Sequence, residues 1–313
     1  MLVDVAGLSS RFIVNPEGEH GHDHAGQGEN KQESTHTQIV AEHYKAVCDR
    51  GGPIRPPRSG PSNYDGAMHS PGSEIVPEAV RRVAFFGGSF DPPHLGHLAV
   101  ARAARDALAL DAVLFAPVGA QPLKPEGASA GFEDRLAMTR LAIAGERGCA
   151  VSLVDAPKAA PRAAGVSAPN YTVDSLHDVR CELPAQTVLF CLMGADSFFG
   201  LRRWHRAAEL PFLAPLIVAS RPGQPMERLQ AALPAGLTME LVRRERKNGI
   251  EIASFTLRDA EDRRAPFYLL PGLDVKISAT TIRNEVKHAA SVETGRLLPD
   301  AVAGYIRAHG LYR

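Results

Sequence analysis

Apolar residues are spread unevenly along the chain: the first 78 or so positions hold few of them, whereas from Arg82 onward they gather into short compact runs. VAFFGG (83–88), AVLFAPV (112–118), CAVSLV (149–154), TVLFCLMG (187–194) and APLIVAS (214–220) each have the length of one strand. Between them LGHLAVARAARDALAL, FEDRLAMTRLAIAGER, YTVDSLHDVR and the segment around RRWHRAAEL read at helical spacing. Strands that do not alternate apolar with polar suit a parallel sheet covered on both faces, so the pattern predicts a doubly wound α/β fold with helices on both sides. Two more helices are expected, one beginning near Ser278 and one over Asp300 to Ala308, while Gln224 to Asp262 shows no clear period.

The first segment changes the domain count rather than the fold class. Residues 1–78 include GEHGHDHAGQGENKQ and GGPIRPPRSGPSNYDG, mixtures too poor in apolar side chains to build a core, and are expected to be a disordered tail before a single domain over 79–313. His20, His22 and His24 alternate within it, but no carboxylate or cysteine framework accompanies them to fix a metal geometry, and no metal site is expected. Lys plus Arg, 35, equals Asp plus Glu, 35, so no global field favours nucleic acid, and any anion must meet a local basic pocket. Cys48, Cys149, Cys181 and Cys191 form no C-x-x-C pair, which suits reduced thiols in a cytoplasmic protein. Neither a secretion signal nor a membrane span is apparent.

The strongest chemical signal is GGSFDPPHLGHL, residues 87–98, where the first strand hands over to the first helix. Gly87 and Gly88 let the main chain approach a ligand closely, Ser89 and Phe90 follow in the turn, and the helix start offers unpaired amides and a positive dipole end to an anion. His94 and His97, three apart, share a face of the first turn and can both donate to phosphate oxygens. Neither G-x-x-x-x-G-K-[ST] nor G-x-G-x-x-G occurs here, which sets the loop apart from two well-known phosphate binders. A second element, ISATTIR at 277–283, places Ser278 as a helix cap with Thr280, Thr281 and Arg283 in the first turn.

Together these residues resemble the nucleotidylyltransferase superfamily, with His94, Gly96 and His97 matching its H-x-G-H and Ser278, Thr280 and Arg283 its I-S-x-T-x-x-R. The resemblance implies a Rossmann-like fold and direct in-line attack of a substrate phosphate on the α-phosphate of ATP, with pyrophosphate leaving. It implies that His94, His97 and Arg283 serve the reacting phosphates, with Mg2+ carried on the triphosphate. Lys124, in APVGAQPLKPE, stands where the family carries a phosphate-facing lysine, although relatives commonly read P-P-H-K and this chain has Gln121-Pro122-Leu123-Lys124.

Later segments resemble bacterial nicotinate-nucleotide adenylyltransferases in particular. NYTVDSL (170–176) is similar to their S-Y-T-x-D-T-L, which implies Tyr171 and Thr172 beside a pyridine carboxylate. MGADSFFGLRRWH (193–205) is similar to their G-x-D segment followed by a tryptophan, with Asp196 able to accept from ribose hydroxyls and Trp204 offering a flat face to a pyridinium-type ring. Trp204 is the one tryptophan of the chain, and the arginines and histidine around it suit a half-exposed ring. The likeness runs from about residue 82 to 313, with the segment 157–170 longer than is usual. The expected substrates are ATP and nicotinate mononucleotide, and the oligomeric state is unknown. The competing readings are a phosphopantetheine adenylyltransferase and a catalytically silent nucleotide-binding module.

Overall fold

A computed structural model describes residues 12–14, 81–124, 126–159, 167–220, 226–273, 277–288 and 297–313. The three tail histidines, Cys48 and the rest of the segment expected to be disordered lie outside the described residues, apart from the short strand β1 (Phe12–Val14). The domain then runs β2 (Arg82–Gly88), α1 (Leu95–Leu108), β3 (Ala112–Pro117), α2 (Phe132–Ile143), β4 (Cys149–Ser152), β5 (Lys158–Ala159), β6 (Ser167–Ala168), α3 (Thr172–Glu182) and β7 (Val188–Gly194). It continues through α4 (Ala195–Phe199), α5 (Leu210–Leu213), β8 (Leu216–Ala219), α6 (Met226–Ala232), β9 (Thr238–Lys247), β10 (Ile250–Arg258), β11 (Arg264–Leu270), α7 (Ala279–His288) and α8 (Asp300–His309).

The five apolar runs are β2, β3, β4, β7 and β8, and with β11 they form a parallel core in the order β4-β3-β2-β7-β8-β11. The chain builds outward from β2 in one direction, then returns to start again at β7, so the topological switch point falls between β2 and β7. Phe85 sits opposite Leu114 on one side and Cys191 on the other, which fixes the register there. Both faces of the sheet are covered, as the pattern predicts: Val83 and Phe85 join the core under α3, and Ala84 and Phe86 join the core under α1. Four alanines, Ala101, Ala103, Ala104 and Ala107, line the buried side of α1 and let it lie close to the sheet. A third cluster, with Met138, Ile282 and Ile306, binds α2, α7 and α8 together.

Two parts of the sequence reading need amendment. The stretch without a clear period holds the antiparallel hairpin β9–β10, paired to β11, which makes the sheet mixed at that edge. Nearly every residue of β9 is exposed, so its charged sequence TMELVRRERK has no buried face to give a period of two. The segment around Trp204 is not one helix but two single 3-10 turns, Leu201–Arg203 and Ala207–Glu209, separated by Arg206 in the left-handed region (φ 51). Among the cysteines, Cys149 and Cys191 are buried and unpaired, and Cys181 is exposed. No helix among the described residues is long and apolar enough to cross a membrane.

Phe267, on β11, is fully buried and packs its ring 5.4 Å from that of Phe198 and 5.7 Å from that of Phe255. Because Phe198 belongs to α4 and Phe255 to the hairpin, this one side chain joins the parallel core to its antiparallel extension. Phe267→Ala is expected to destabilise the fold by about 3–5 kcal/mol, the cost of lost burial plus a cavity, measured as a shift in the urea midpoint.

Candidate active site

Loops leaving the carboxyl ends of β2, β3, β7 and β8 open onto one cavity of about 620 Å³ at the switch point. Its walls include Gly87, Gly88, Ser89, Phe90, His94 and His97 from the first motif, and Ser278, Thr280 and Arg283 from the second. Lys124 borders it, as do Tyr171, Thr172, Asp196 and Trp204. Of the residues singled out in the sequence for this chemistry, all but Thr281 therefore reach the same space.

The two glycines are required for closeness rather than for an unusual backbone. They end β2, and neither has a positive φ. A Cβ on Gly87 would lie 2.9 Å from the Phe85 ring, and one on Gly88 would lie 3.2 Å from the Phe90 ring. The left-handed residue of the turn is Phe90 (φ 46), whose ring is buried edge-on to Phe86 at 5.6 Å and beside Phe115 at 5.5 Å. Such a conformation costs a non-glycine residue energy, and the aromatic packing is what holds it. Phe90 accordingly serves the site by shaping the turn, its ring being part of the core.

His94 occupies the N-cap of α1 and its ring stacks on that of His97, centroids 3.7 Å apart. The main-chain N–H of His94 donates to Nδ1 of His97 at 3.2 Å, so the proton of neutral His97 resides on Nε2, where it is available as a donor. His94 Nδ1 is buried with no hydrogen-bond partner among the described residues. Burial holds the His94 imidazole down to about 4, and burial together with the neighbouring His94 holds His97 well below its ordinary value. At neutral pH the pair is thus uncharged, two imidazoles lining the cavity beside the start of a helix.

The fixed positive charge comes from elsewhere. Lys124 Nζ donates to Ser89 Oγ at 3.3 Å, and that hydroxyl donates to Gln121 Oε1 at 2.7 Å. Arg283 Nη1 donates to the main-chain carbonyl of Asp91 at 2.7 Å, and its Nη2 to Thr280 Oγ1 at 3.3 Å. Ser278 caps α7 as the sequence suggests, its Oγ accepting from the Thr281 N–H at 3.1 Å. On the opposite wall Trp204 is half-buried, Asp196 is exposed in the first turn of α4, and the Tyr171 ring packs 4.4 Å from that of His205.

Three supporting residues escaped the sequence reading. Asp91 is buried, and its carboxylate accepts from the main chain of Ser129 (2.6 Å) and Ala130 (3.0 Å) and from the Tyr312 hydroxyl (2.8 Å). Arg135, 3% exposed, donates from Nη1 to the Ser89 carbonyl at 2.7 Å and from Nε to the Ala130 carbonyl at 3.1 Å. Asn170 ties two loops together, accepting from the Ala120 N–H at 2.9 Å and donating to the Ala156 carbonyl at 3.2 Å. Arg135 had a legible signal, a cation on the same face of α2 as buried Leu136, Met138 and Thr139. Asp91 and Asn170 had none, because their partners lie tens of residues away.

A glycine turn, stacked histidines at a helix start and a second capped helix meet at the switch point, an arrangement suited to holding a nucleotide's phosphates. The model of the cytidylyltransferase-like family matches residues 85–285. The chain belongs more narrowly to the nicotinate-nucleotide adenylyltransferase family. It is 37% identical over 231 residues to a Gloeobacter violaceus protein named "Probable nicotinate-nucleotide adenylyltransferase", covering 74% of this chain and 96% of that one. A Stenotrophomonas maltophilia protein of the same name is 41% identical over 230 residues, covering 73% and 96%. The fold is also that of Plasmodium falciparum nicotinic acid mononucleotide adenylyltransferase, solved with NaAD, at a TM-score of 0.52 and 14% identity, with 74% of this chain and 97% of that one covered.

The histidine pair yields a titration prediction. In the protein alone, His94 is expected to titrate with a midpoint near 4, followed by NMR of its imidazole carbons, and addition of ATP should raise that midpoint because a polyanion favours the imidazolium. Folding stability is a poor substitute readout. The depressed His94 loses stability as pH falls from about 6.5 to about 4, whereas Asp155, raised by burial to about 6, gains it as pH falls from about 6 to about 4, and the two oppose each other.

Proposed function

We propose that this chain transfers the adenylyl group of ATP to nicotinate mononucleotide, giving deamido-NAD and pyrophosphate, a step of NAD biosynthesis. The observation that carries the reading is convergence: two phosphate-suited motifs and the Tyr171 and Trp204 segments line one cavity of nucleotide-accommodating size. An oxygen of the acceptor phosphate attacks the α-phosphorus of ATP, the bond from that phosphorus to the α,β-bridging oxygen breaks, and pyrophosphate departs without a covalent enzyme intermediate.

The protein's part in such a reaction is alignment and charge neutralisation. His94 and His97 donate to the triphosphate at the start of α1, and Arg283, Lys124 and the Ser278–Thr280 turn supply the second side. Gly87 and Gly88 give the phosphates access to the main chain, with Ser89 and Phe90 holding the turn. Tyr171 and Thr172 border the pyridine, Trp204 stacks on it, and Asp196 accepts from ribose hydroxyls. Mg2+ enters as part of the ATP substrate. The donors around the phosphate end fit a metal brought in that way, since the two buried carboxylates that line the cavity are already engaged, Asp91 by Ser129, Ala130 and Tyr312 and Asp155 by Ser175.

The test is pyrophosphate release with MgATP and, in parallel, nicotinate mononucleotide, nicotinamide mononucleotide and phosphopantetheine. Release with the nicotinate compound is the expected result; release only with phosphopantetheine would reassign the acceptor, and silence with all three would make the chain a binding module. In His97→Ala, ATP binding by calorimetry is expected to survive while kcat falls by about 10²–10³, as for loss of one preorganised donor to developing charge.

A further inference from the structure

The floor of the cavity holds a carboxylate that the proposed reaction does not use. Asp155 follows β4, lines the cavity and is 4% exposed. Its main chain is pinned, because its carbonyl accepts from the Gly119 N–H at 2.7 Å. Its Oδ2 lies 3.6 Å from where a Cβ on Gly87 would stand, and its Oδ1 is hydrogen-bonded with the Ser175 hydroxyl.

Ser175 is fully buried one turn into α3, and its hydroxyl has a second acceptor in reach, the Tyr171 carbonyl at 3.1 Å. A serine hydroxyl carries one proton and can serve only one of these acceptors at a time. The Tyr171 carbonyl is the N-cap acceptor of α3, already taking the N–H groups of Asp174 at 3.0 Å and Ser175 at 3.1 Å. Whatever decides the direction of the Ser175 hydroxyl therefore acts on the turn that presents Tyr171 and Thr172 to the cavity.

We propose that Asp155 is a positioning residue for the acceptor nucleotide, its protonation state setting, through the Ser175 hydroxyl, how the Tyr171–Thr172 turn is held. The assignment rests on the reading above that this turn faces the acceptor. When Asp155 is ionised, Ser175 donates to it and the Tyr171 carbonyl has only its main-chain donors. When Asp155 takes up a proton from solvent, its O–H donates to Ser175 Oγ, and the serine proton turns to the Tyr171 carbonyl. The same proton removes a negative charge from the floor beneath a ligand that carries a phosphate.

The groups facing Asp155 place this change near neutrality. Burial dominates and raises it to about 6, the Ser175 hydrogen bond and Lys158 on β5 act downward, and Asp178 on α3 acts upward. Lys158 is itself paired with Asp178 at 3.2 Å, which divides its effect. Cys191 on β7, its thiol pushed up to about 12 by burial and by Asp155, stays neutral throughout. The sign follows: protonated Asp155 favours the acceptor, so acceptor KM should rise as pH increases through about 6.

Two variants of the full chain test this by steady-state kinetics with MgATP and nicotinate mononucleotide between about pH 5 and pH 8, spanning the carboxyl transition and its plateau. The acceptor's own phosphate ionises in the same range, so wild type is compared with Asp155→Asn, whose amide stays neutral and can donate to Ser175 Oγ as the acid does. The ratio of acceptor KM, wild type to D155N, should be near one at the acid end and climb to about fivefold at the alkaline end, the scale of one net hydrogen bond. Ser175→Ala should raise acceptor KM at the acid end with a smaller change in kcat and no change in ATP KM. A flat ratio across the pH range, or ATP and acceptor KM values rising together in S175A, would overturn the assignment. If the wild-type chain turns over none of the three acceptors, the adenylyl-transfer reading falls, and the positioning role with it.

Discussion

Asp91 is the constraint on which the site depends. Its carboxylate gathers the entry of α2, through Ser129 and Ala130, and the C-terminal Tyr312, while its main-chain carbonyl takes the guanidinium of Arg283. Two motifs almost two hundred residues apart are thereby joined at one residue of the first loop. A buried carboxylate is costly to desolvate and is tolerable only when its oxygens are satisfied, so every partner that satisfies Asp91 is also held in place by it. Tyr312 shows the reciprocal effect, its hydroxyl being held well above the ordinary range for phenols by burial and by this carboxylate. Arg135 adds a second buried brace by bonding the Ser89 carbonyl two residues away.

From that frame comes the electrostatic character of the end of the cavity that holds His94, His97 and Arg283. Mobile positive charge is scarce there: the histidines are neutral at physiological pH because burial penalises their charged forms, and Arg283 is half-committed to Asp91. Neutral donors that are already oriented, with a helix start behind them, interact with an anion without having to reorganise when it arrives. The wall that carries Tyr171 and Trp204 is built on a different principle. Trp204 and Tyr171 present partly buried rings against the core, flanked by the exposed His205 and Arg203, a surface suited to a flat ring bearing an anionic group.

Much of this was legible because the signals are local. The five central strands are continuous apolar runs, since both of their faces are covered, and the paired motif histidines need only a strand, a turn and a helix in sequence order. β9 was illegible for the converse reason, that an exposed charged edge strand buries no face. The two short turns flanking Trp204 were read as one helix because helical composition does not reveal a left-handed residue such as Arg206.

What composition and spacing within short windows determined, then, is the alternation of elements and the two phosphate-suited motifs, while Lys124, Tyr171, Thr172 and Trp204 were reached through the family resemblance of the segments that hold them. Only the tertiary structure decided how those side chains are held: the burial that leaves the His94 and His97 rings neutral, the Asp91 junction, the Arg135 brace, and the Asp155–Ser175–Tyr171 contact beneath the wall that carries Tyr171. The reason is physical. A buried polar group is defined by its partners, and here those partners come from strands and helices that are adjacent in the sheet but remote along the chain.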